Sequence, residues 1–455
     1  MNKKEEKYFH HALKVVDKAC IGCTHCMKVC PTGAIRVIDG KARIIDNRCI
    51  DCGECYKACP VDAIIVEQDD FSEIYNYKAR ILLLPSVLIG QFPEKIPVTK
   101  IYGALKKLGF THIFEVESTV DYILQGYENI KRNNNQRPLI SSFCPAVVRL
   151  IQVRFPALTD HIIKVKPPID MSALYFRQKV LNQGYSGDET GTFYVTPCAA
   201  KIATVKSPVG EKESPVTGVI NMNFLYNQIQ QVLQKNPELN EEEPDHGLIS
   251  KEGILWSLTR GESIHSSGRS LAIDGIHNVS EFLEKLENEE VEGIDFLELR
   301  ACDESCAGGI LISGNRFLTV ERLNKRTINF PSLNELPGKD SQVEDFYLGD
   351  IHPRPIEKLD EDISKAIKKM ERKRRLMCYL PGFDCAACGA PSCQALAEDI
   401  VQGKAGASNC VFLQQVMMDK GTLSIEHANK ITERIWGKDR LDKDCSKLGA
   451  EDENS

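Results

Sequence analysis

No apolar run in this sequence is long enough to cross a bilayer. The longest, Ile81 to Gly90 (ILLLPSVLIG), is well short of the roughly 20 residues a spanning helix needs. The charged start, MNKKEEKYFHHALKVV, has no long apolar stretch and no small-residue cleavage site, so no secretory signal is expected. Positive charge is not in excess. Lys plus Arg is 57 and Asp plus Glu is 64, a net charge of −7, which argues against nucleic acid as the main partner. The ten histidines lack ligand spacing, and the adjacent His10 and His11 are assigned no metal. No kinase motif or sensory ligand domain is present. Disorder is excluded, because 42% hydrophobic and 27% charged residues are ordinary globular values. These absences predict a cytoplasmic protein with no membrane insertion. In that compartment thiols stay reduced and structural disulfides are rare.

Cysteine is what the chain has in plenty: 18 in 455 residues. So many in a reducing compartment point to metal rather than disulfides. Eight lie between Cys20 and Cys59, five between Cys378 and Cys410, and four more at Cys144, Cys198, Cys302 and Cys306, with Cys445 alone. The first group is a repeat. Cys20-x-x-Cys23-x-x-Cys26-x-x-x-Cys30-Pro31 recurs as Cys49-x-x-Cys52-x-x-Cys55-x-x-x-Cys59-Pro60, with PTGAIRV and PVDAIIV following the two copies. Tight turns let thiolates at this spacing face one small cluster, and the fourth Cys, before Pro, serves the other cluster. The spacing therefore predicts one 4Fe–4S cluster on Cys20, Cys23, Cys26 and Cys59, and a second on Cys49, Cys52, Cys55 and Cys30. Structural zinc also takes four cysteines, but two exact repeats with Cys-Pro ends favour iron–sulfur. The segment resembles a bacterial two-cluster ferredoxin, which carries electrons and needs a redox partner.

The patterning beyond it predicts five regions: the ferredoxin domain at 1–75, an α/β domain at 76–335, a linker and charged helix at 336–377, a Cys-rich module at 378–415 and a helical, fraying tail at 416–455. ARILLLPSVLIG reads as a buried strand ending in a loop, VTKIYGALKKLG as a helix, THIFEVES as a strand and STVDYILQGYENIKR as a helix. This alternation implies largely parallel pairing. Three short strands end just before cysteines: RPLISSFC, GTFYVTPC and GIDFLELRAC. Open α/β sheets place their sites at the carboxyl ends of strands. A lone buried cysteine is usually inert, whereas four at such ends can converge as ligands. In the last module, Cys385-x-x-Cys388-x₄-Cys393-x₁₆-Cys410 with a turn at Cys388-Gly389 reads as a helical 4Fe–4S site, with zinc as the alternative. Cys378 and Cys445 read as ordinary thiols. The basic end of the charged helix, Lys373-Arg374-Arg375, reads as a solvated face favoured by the helix dipole.

The segments Ser142-Phe143-Cys144-Pro145, Thr196-Pro197-Cys198-Ala199-Ala200-Lys201 and Glu298-Leu299-Arg300-Ala301-Cys302-Asp303-Glu304-Ser305-Cys306 are similar, in order and separation, to the three signature motifs of the iron-only (FeFe) hydrogenases. The resemblance covers about residues 78–330. It implies a two-lobed hydrogenase core of mixed or parallel sheet with flanking helices. It also implies a 4Fe–4S cubane on Cys144, Cys198, Cys302 and Cys306, with Cys306 bridging to a two-iron subcluster that bears CO, cyanide and a bridging dithiolate. Lys201 matches the family's cyanide-contacting lysine. The C-terminal module resembles a small Fe–S domain of electron-transfer and corrinoid proteins.

The departures are as informative. Phe143 stands where active members carry a second, proton-relaying cysteine. Thr196 and Arg300 replace two methionines, and Asp303-Glu304-Ser305 replaces Pro-Gly-Gly. Gly126 and Tyr127 fall where the family's proton path has glutamates. Asp303, Glu304 and Ser305 are the substitute relays the sequence offers. A lost relay slows turnover by ~10²–10⁴. The expectation is a regulatory FeFe hydrogenase acting slowly on H₂ and protons. It would pass electrons through its clusters to a signalling partner such as a kinase or phosphatase, and it would need maturation proteins for the diiron site. A homodimer is left open. The alternatives are a metabolic hydrogenase linked to ferredoxin or to a bifurcating partner, and a non-catalytic relative of the Fe–S assembly proteins.

Overall fold

A computed structural model describes residues 9–134, 136–245, 249–336, 347–354, 359–360 and 362–438. Cys445 lies outside them. The chain forms two compact units that interleave along the sequence. One draws on Met1–Ala12, Ile50–Gly53 and Val66–Arg354, the other on Leu13–Cys49, Glu54–Ile65 and Pro355–Ser455. Among the described residues no helix is long and apolar enough to cross a membrane.

The second unit begins with the Cys-rich repeat. Strands β1 (Leu13–Val15), β2 (Ile35–Ile38), β3 (Lys41–Ile44) and β4 (Ile64–Val66) form two ribbons, β1–β4 and β2–β3. The β2–β3 hairpin turns on Asp39 (φ 51°) and Gly40 (φ 66°). Positive φ at both central residues is the turn whose twist matches paired strands.

The first unit is α/β. Strands β5 (Ala79–Leu84), β6 (His112–Glu115), β7 (Leu139–Ile140), β8 (Thr190–Thr196), β9 (Gly218–Asn221), β10 (Ser270–Asp274) and β11 (Phe296–Arg300) form two sheets, ordered β6-β5-β8-β9 and β10-β11-β7. Every pairing in both is parallel. The reason is visible in β5 and β8, whose residues are almost all buried, as strands covered on both faces must be. The run after β5 is not a loop, as the sequence suggested: past Pro85 it turns into a short buried helix, Ser86–Ile89. Pro at the first helical position starts the helix Pro145–Arg154, since its fixed φ suits a helix and its missing N–H is not needed there.

The C-terminal part of the second unit is helical: Ile363–Tyr379, Cys393–Val401, Val411–Asp419 and Ile425–Trp436. Its last helix is not a loose tail. It buries Ala428, Ile431 and Ile435, and its carbonyls at Arg434 and Ile435 accept from the N–H groups of Asp39 and Gly40, 2.9 Å each. Arg36 binds Asp399 (2.7 Å) and Val37 N–H donates to Gly389 O (2.9 Å). Arg48 pairs with Glu398. The ferredoxin-like hairpin and the C-terminal module thus share one packed unit.

Candidate active site

In the first unit, three strand ends converge. The register Phe296↔Leu139 and Leu297↔Ile140 sets β7 beside β11, which brings the segments after them together. Cys144 and Cys198 each sit at the cap position of the helix that follows, and Cys306 lies in the turn Ser305–Gly308. That turn packs tightly on the end of β8. Leu311 N–H donates to Pro197 O (2.9 Å), and a Cβ at Gly309 would come within 2.4 Å of that oxygen. One pocket is consequently lined by Cys144, Cys198, Cys302 and Cys306, with Phe143, Lys201 and Arg300. Asp51 and Cys52 line it too.

The donor set fits the iron–sulfur group that the motifs imply. The four thiols are drawn from three separate segments into one largely apolar pocket, and two buried cations oppose their charge. Burial pushes the Cys198 thiol up to about 12, against the pull of Lys201. Burial likewise raises Cys306, while Lys201 and Arg300 act to lower it. A metal reverses this by displacing the protons. Lys201 Nζ lies 3.1 Å from the Tyr194 hydroxyl and 3.9 Å from Cys306 Sγ. Burial acts to lower its ammonium, but Cys306, Tyr194 and Cys198 outweigh burial and keep it charged.

Two cations stand over the Phe143 ring. Lys201 Nζ stands 4.6 Å from its ring centroid and the Arg300 guanidinium carbon 3.9 Å. Cations favour the electron-rich ring face. Behind Arg300 lies a buried acidic network that sequence reading missed. Arg300 Nη2 binds Glu262 at 2.6 Å. Glu262 also accepts from Tyr127 (2.6 Å) and Ser141 (2.8 Å). Glu298 accepts three backbone N–H groups, from Arg260, Glu262 and Ser263, at 2.8–3.0 Å. Burial raises Glu262 despite Arg300, and Glu298 adds to the rise. Tyr127 and Glu262 border a cavity of ≈ 220 Å³ with Glu128, Lys131, Glu252 and His265. Glu262 is remote in sequence from every cysteine motif, so only a search for acids beside predicted strand ends would have raised it.

Of the other predicted relays, Ser305 lines the cysteine pocket and Asp303 and Glu304 do not. Asp303 is exposed and paired with Arg316 (2.8 Å), Glu304 is half-buried, and Ser305 is buried against Asp274 (3.1 Å). His11, without a role in the sequence reading, donates to or accepts from Asp51 at 2.7 Å, and Arg149 binds the same carboxylate at 3.1 Å.

In the second unit, Cys20, Cys23, Cys26 and Cys59 line one pocket with Ile21, Val37, Ala42 and Ile64. Burial pushes Cys26 up to about 12, with Cys23, Cys20 and Cys59 adding to the rise. Burial also raises Cys55, which feels Cys49 and Cys30. Backbone N–H groups point at sulfur: Ala42 at Cys20 (3.3 Å), Ala34 at Cys30 (3.2 Å) and Ala63 at Cys59 (3.2 Å). In the last module burial pushes Cys388 up to about 11, with Cys385 and Cys410 nearby. Cys393 and Cys410 are buried, while Cys385 and Cys378 are exposed.

Three segments of the chain match known protein families. Residues 85–267 match the family model of the iron only hydrogenase large subunit, C-terminal domain, which ends before Cys302. Residues 12–60 match a 4Fe-4S dicluster domain and 380–412 an Fe-S cluster domain. The chain is 26% identical to iron hydrogenase 1 of Clostridium pasteurianum over 48% of this chain and 38% of that protein. It is 29% identical to the periplasmic [Fe] hydrogenase large subunit of Nitratidesulfovibrio vulgaris, over 42% of this chain and 50% of that one. With an NADP-reducing hydrogenase subunit of Solidesulfovibrio fructosivorans the identity is 25%, over 62% and 47%. The matches thus span half or less of these relatives. A solved FeFe-hydrogenase, HydA1 of Chlamydomonas reinhardtii, superposes with TM-score 0.46 at 13% identity, over 63% of this chain and 98% of that one.

Proposed function

We propose, on the premise that this chain belongs to the iron-only hydrogenase family, that it is a slow, regulatory hydrogenase. It interconverts H₂ with protons and electrons at the pocket of Cys144, Cys198, Cys302 and Cys306, and hands electrons through its iron–sulfur clusters to a signalling partner. When bound, the cubane and its CO- and cyanide-bearing diiron partner supply hydrogen activation and electron storage. The protein supplies the ligands, the cation of Lys201 and the shape of the pocket.

Phe143 carries the reading. A string of proton-holding groups, Tyr127, Glu262 and Ser141, leads from the 220 Å³ cavity toward the pocket. Ser141 Oγ then accepts from the Phe143 N–H at 3.1 Å. The next side chain is an aromatic ring that neither accepts nor donates a proton, so the string stops one residue short. General acid–base help needs a titratable group within hydrogen-bond reach. The test is anaerobic maturation, followed by infrared spectroscopy and H₂ turnover. CO and cyanide bands with slow turnover support the reading. Fast turnover favours the metabolic alternative, linked to ferredoxin or a bifurcating partner, for which the Tyr127–Glu262 string is the supporting observation. No bands would leave the non-catalytic relative.

A further inference from the structure

Arg300 is a buried charge whose fork is only partly used. It is 2% exposed and lines the cysteine pocket. Nη2 is used by Glu262 and by the Trp256 carbonyl (3.3 Å), and Nε stands 3.6 Å from Glu298. Among the described residues neither Nε nor Nη1 has a hydrogen-bond partner. Native proteins leave few buried donors unpaired. Anchored by two carboxylates and held over Phe143 with its central carbon 3.9 Å from the ring centroid, the guanidinium cannot swing away to find water. Its rigid fork suits an anion or an electron-rich acceptor.

We propose that Arg300 is a positioning residue for the reactive cofactor. It presents Nη1–H to an anionic ligand of that group, and it adds a second fixed cation beside Lys201. Two replacements lie side by side here: Phe143 stands where active relatives carry a proton-handling cysteine, and Arg300 puts a permanent positive charge where they carry methionine. Such a charge stabilises an added electron and draws electron density from the iron through the hydrogen-bonded ligand. A centre tuned this way holds its reduced state longer, which suits a redox reporter better than a turnover catalyst. Glu262 and Glu298 offset the cost of burying the cation, because their charge faces it from the side away from the pocket.

The inference rests on the proposed hydrogenase reading, and infrared spectroscopy with redox titration of the matured full chain separates the two. In R300M, the CO bands move to lower wavenumber, and half-reduction shifts to more negative potential. In R300K the charge survives and the fork does not: the potential stays near that of the wild type while the cyanide bands move. If both variants fold, load and show wild-type bands, the inference is overturned and the hydrogenase reading stands. If the wild type itself shows no CO or cyanide bands, both are overturned. Should R300M fail to fold because Glu262 and Glu298 lose their cation, R300K decides alone: wild-type cyanide bands there overturn the proposal.

Discussion

The chain contains two kinds of four-thiol pocket. That of Cys20, Cys23, Cys26 and Cys59 is lined by apolar side chains, and the groups that face its sulfur are backbone N–H. That of Cys144, Cys198, Cys302 and Cys306 is lined by Lys201 and Arg300, with carboxylates behind the arginine. Backbone dipoles are fixed by the fold and carry no proton to give. Buried cations and acids form a network whose charges respond to one another. On the proposed reading, the difference separates a site that only passes electrons from one that couples electrons to protons or to a bound anion.

The contrast is broken most severely at Cys306. C306A should abolish hydrogen turnover and the CO and cyanide bands, while reduced ferredoxin-type clusters stay visible by paramagnetic resonance. Loss of both signals would show that the two pockets are not independent. F143C extends the Tyr127–Glu262–Ser141 string to the pocket, and should raise H₂ turnover by ~10²–10⁴. Unchanged turnover in a fully loaded F143C chain would remove the relay argument. Next is R36A, which strands the nearly buried Asp399. Removing one partner of a buried pair costs ~3–5 kcal/mol, so the C-terminal module should become protease-sensitive and lose iron before the ferredoxin pocket does.

Asp170 gives a pH test. Burial, with help from Glu211 and against Lys166, pushes its carboxyl up to about 7. Between its ordinary value near 3.8 and about 7, the folded chain holds a proton that the unfolded chain has released. Stability therefore falls as pH rises through that window, by ~4 kcal/mol at most at ~1.4 kcal/mol per pH unit. D170N should gain thermal stability over wild type at pH 8 and nothing at pH 4. The smallest effect belongs to the exposed pair Arg43–Asp17: D17N should leave stability unchanged within error.

Much of this was legible in the residues. The repeat at Cys20–Cys59 reads directly, and residues 12–60 match a 4Fe-4S dicluster domain, because its cysteines lie within tight turns, so spacing fixes geometry. The strands before Cys144, Cys198 and Cys302 could be found from apolar runs, since parallel buried strands leave that signature. Pro85 was misread as a loop because a proline after a strand marks a stop and does not say whether a helix follows. Glu262 and Glu298 left no trace as a network, for a carboxylate in sequence is silent about whether Arg300 lies across from it.

By itself, then, the sequence determined the cysteine content, the turn-bound cluster spacings and the absence of a titratable group at Phe143. Those are local properties, set within a few residues. Only the tertiary structure decided that strand ends from two different parallel sheets meet in one pocket. It also placed Arg300 over Phe143 with Nε and Nη1 unclaimed among the described residues, and packed the C-terminal module on the β2–β3 hairpin. Each of these depends on register and on contacts between distant segments, where burial fixes which charges must face each other.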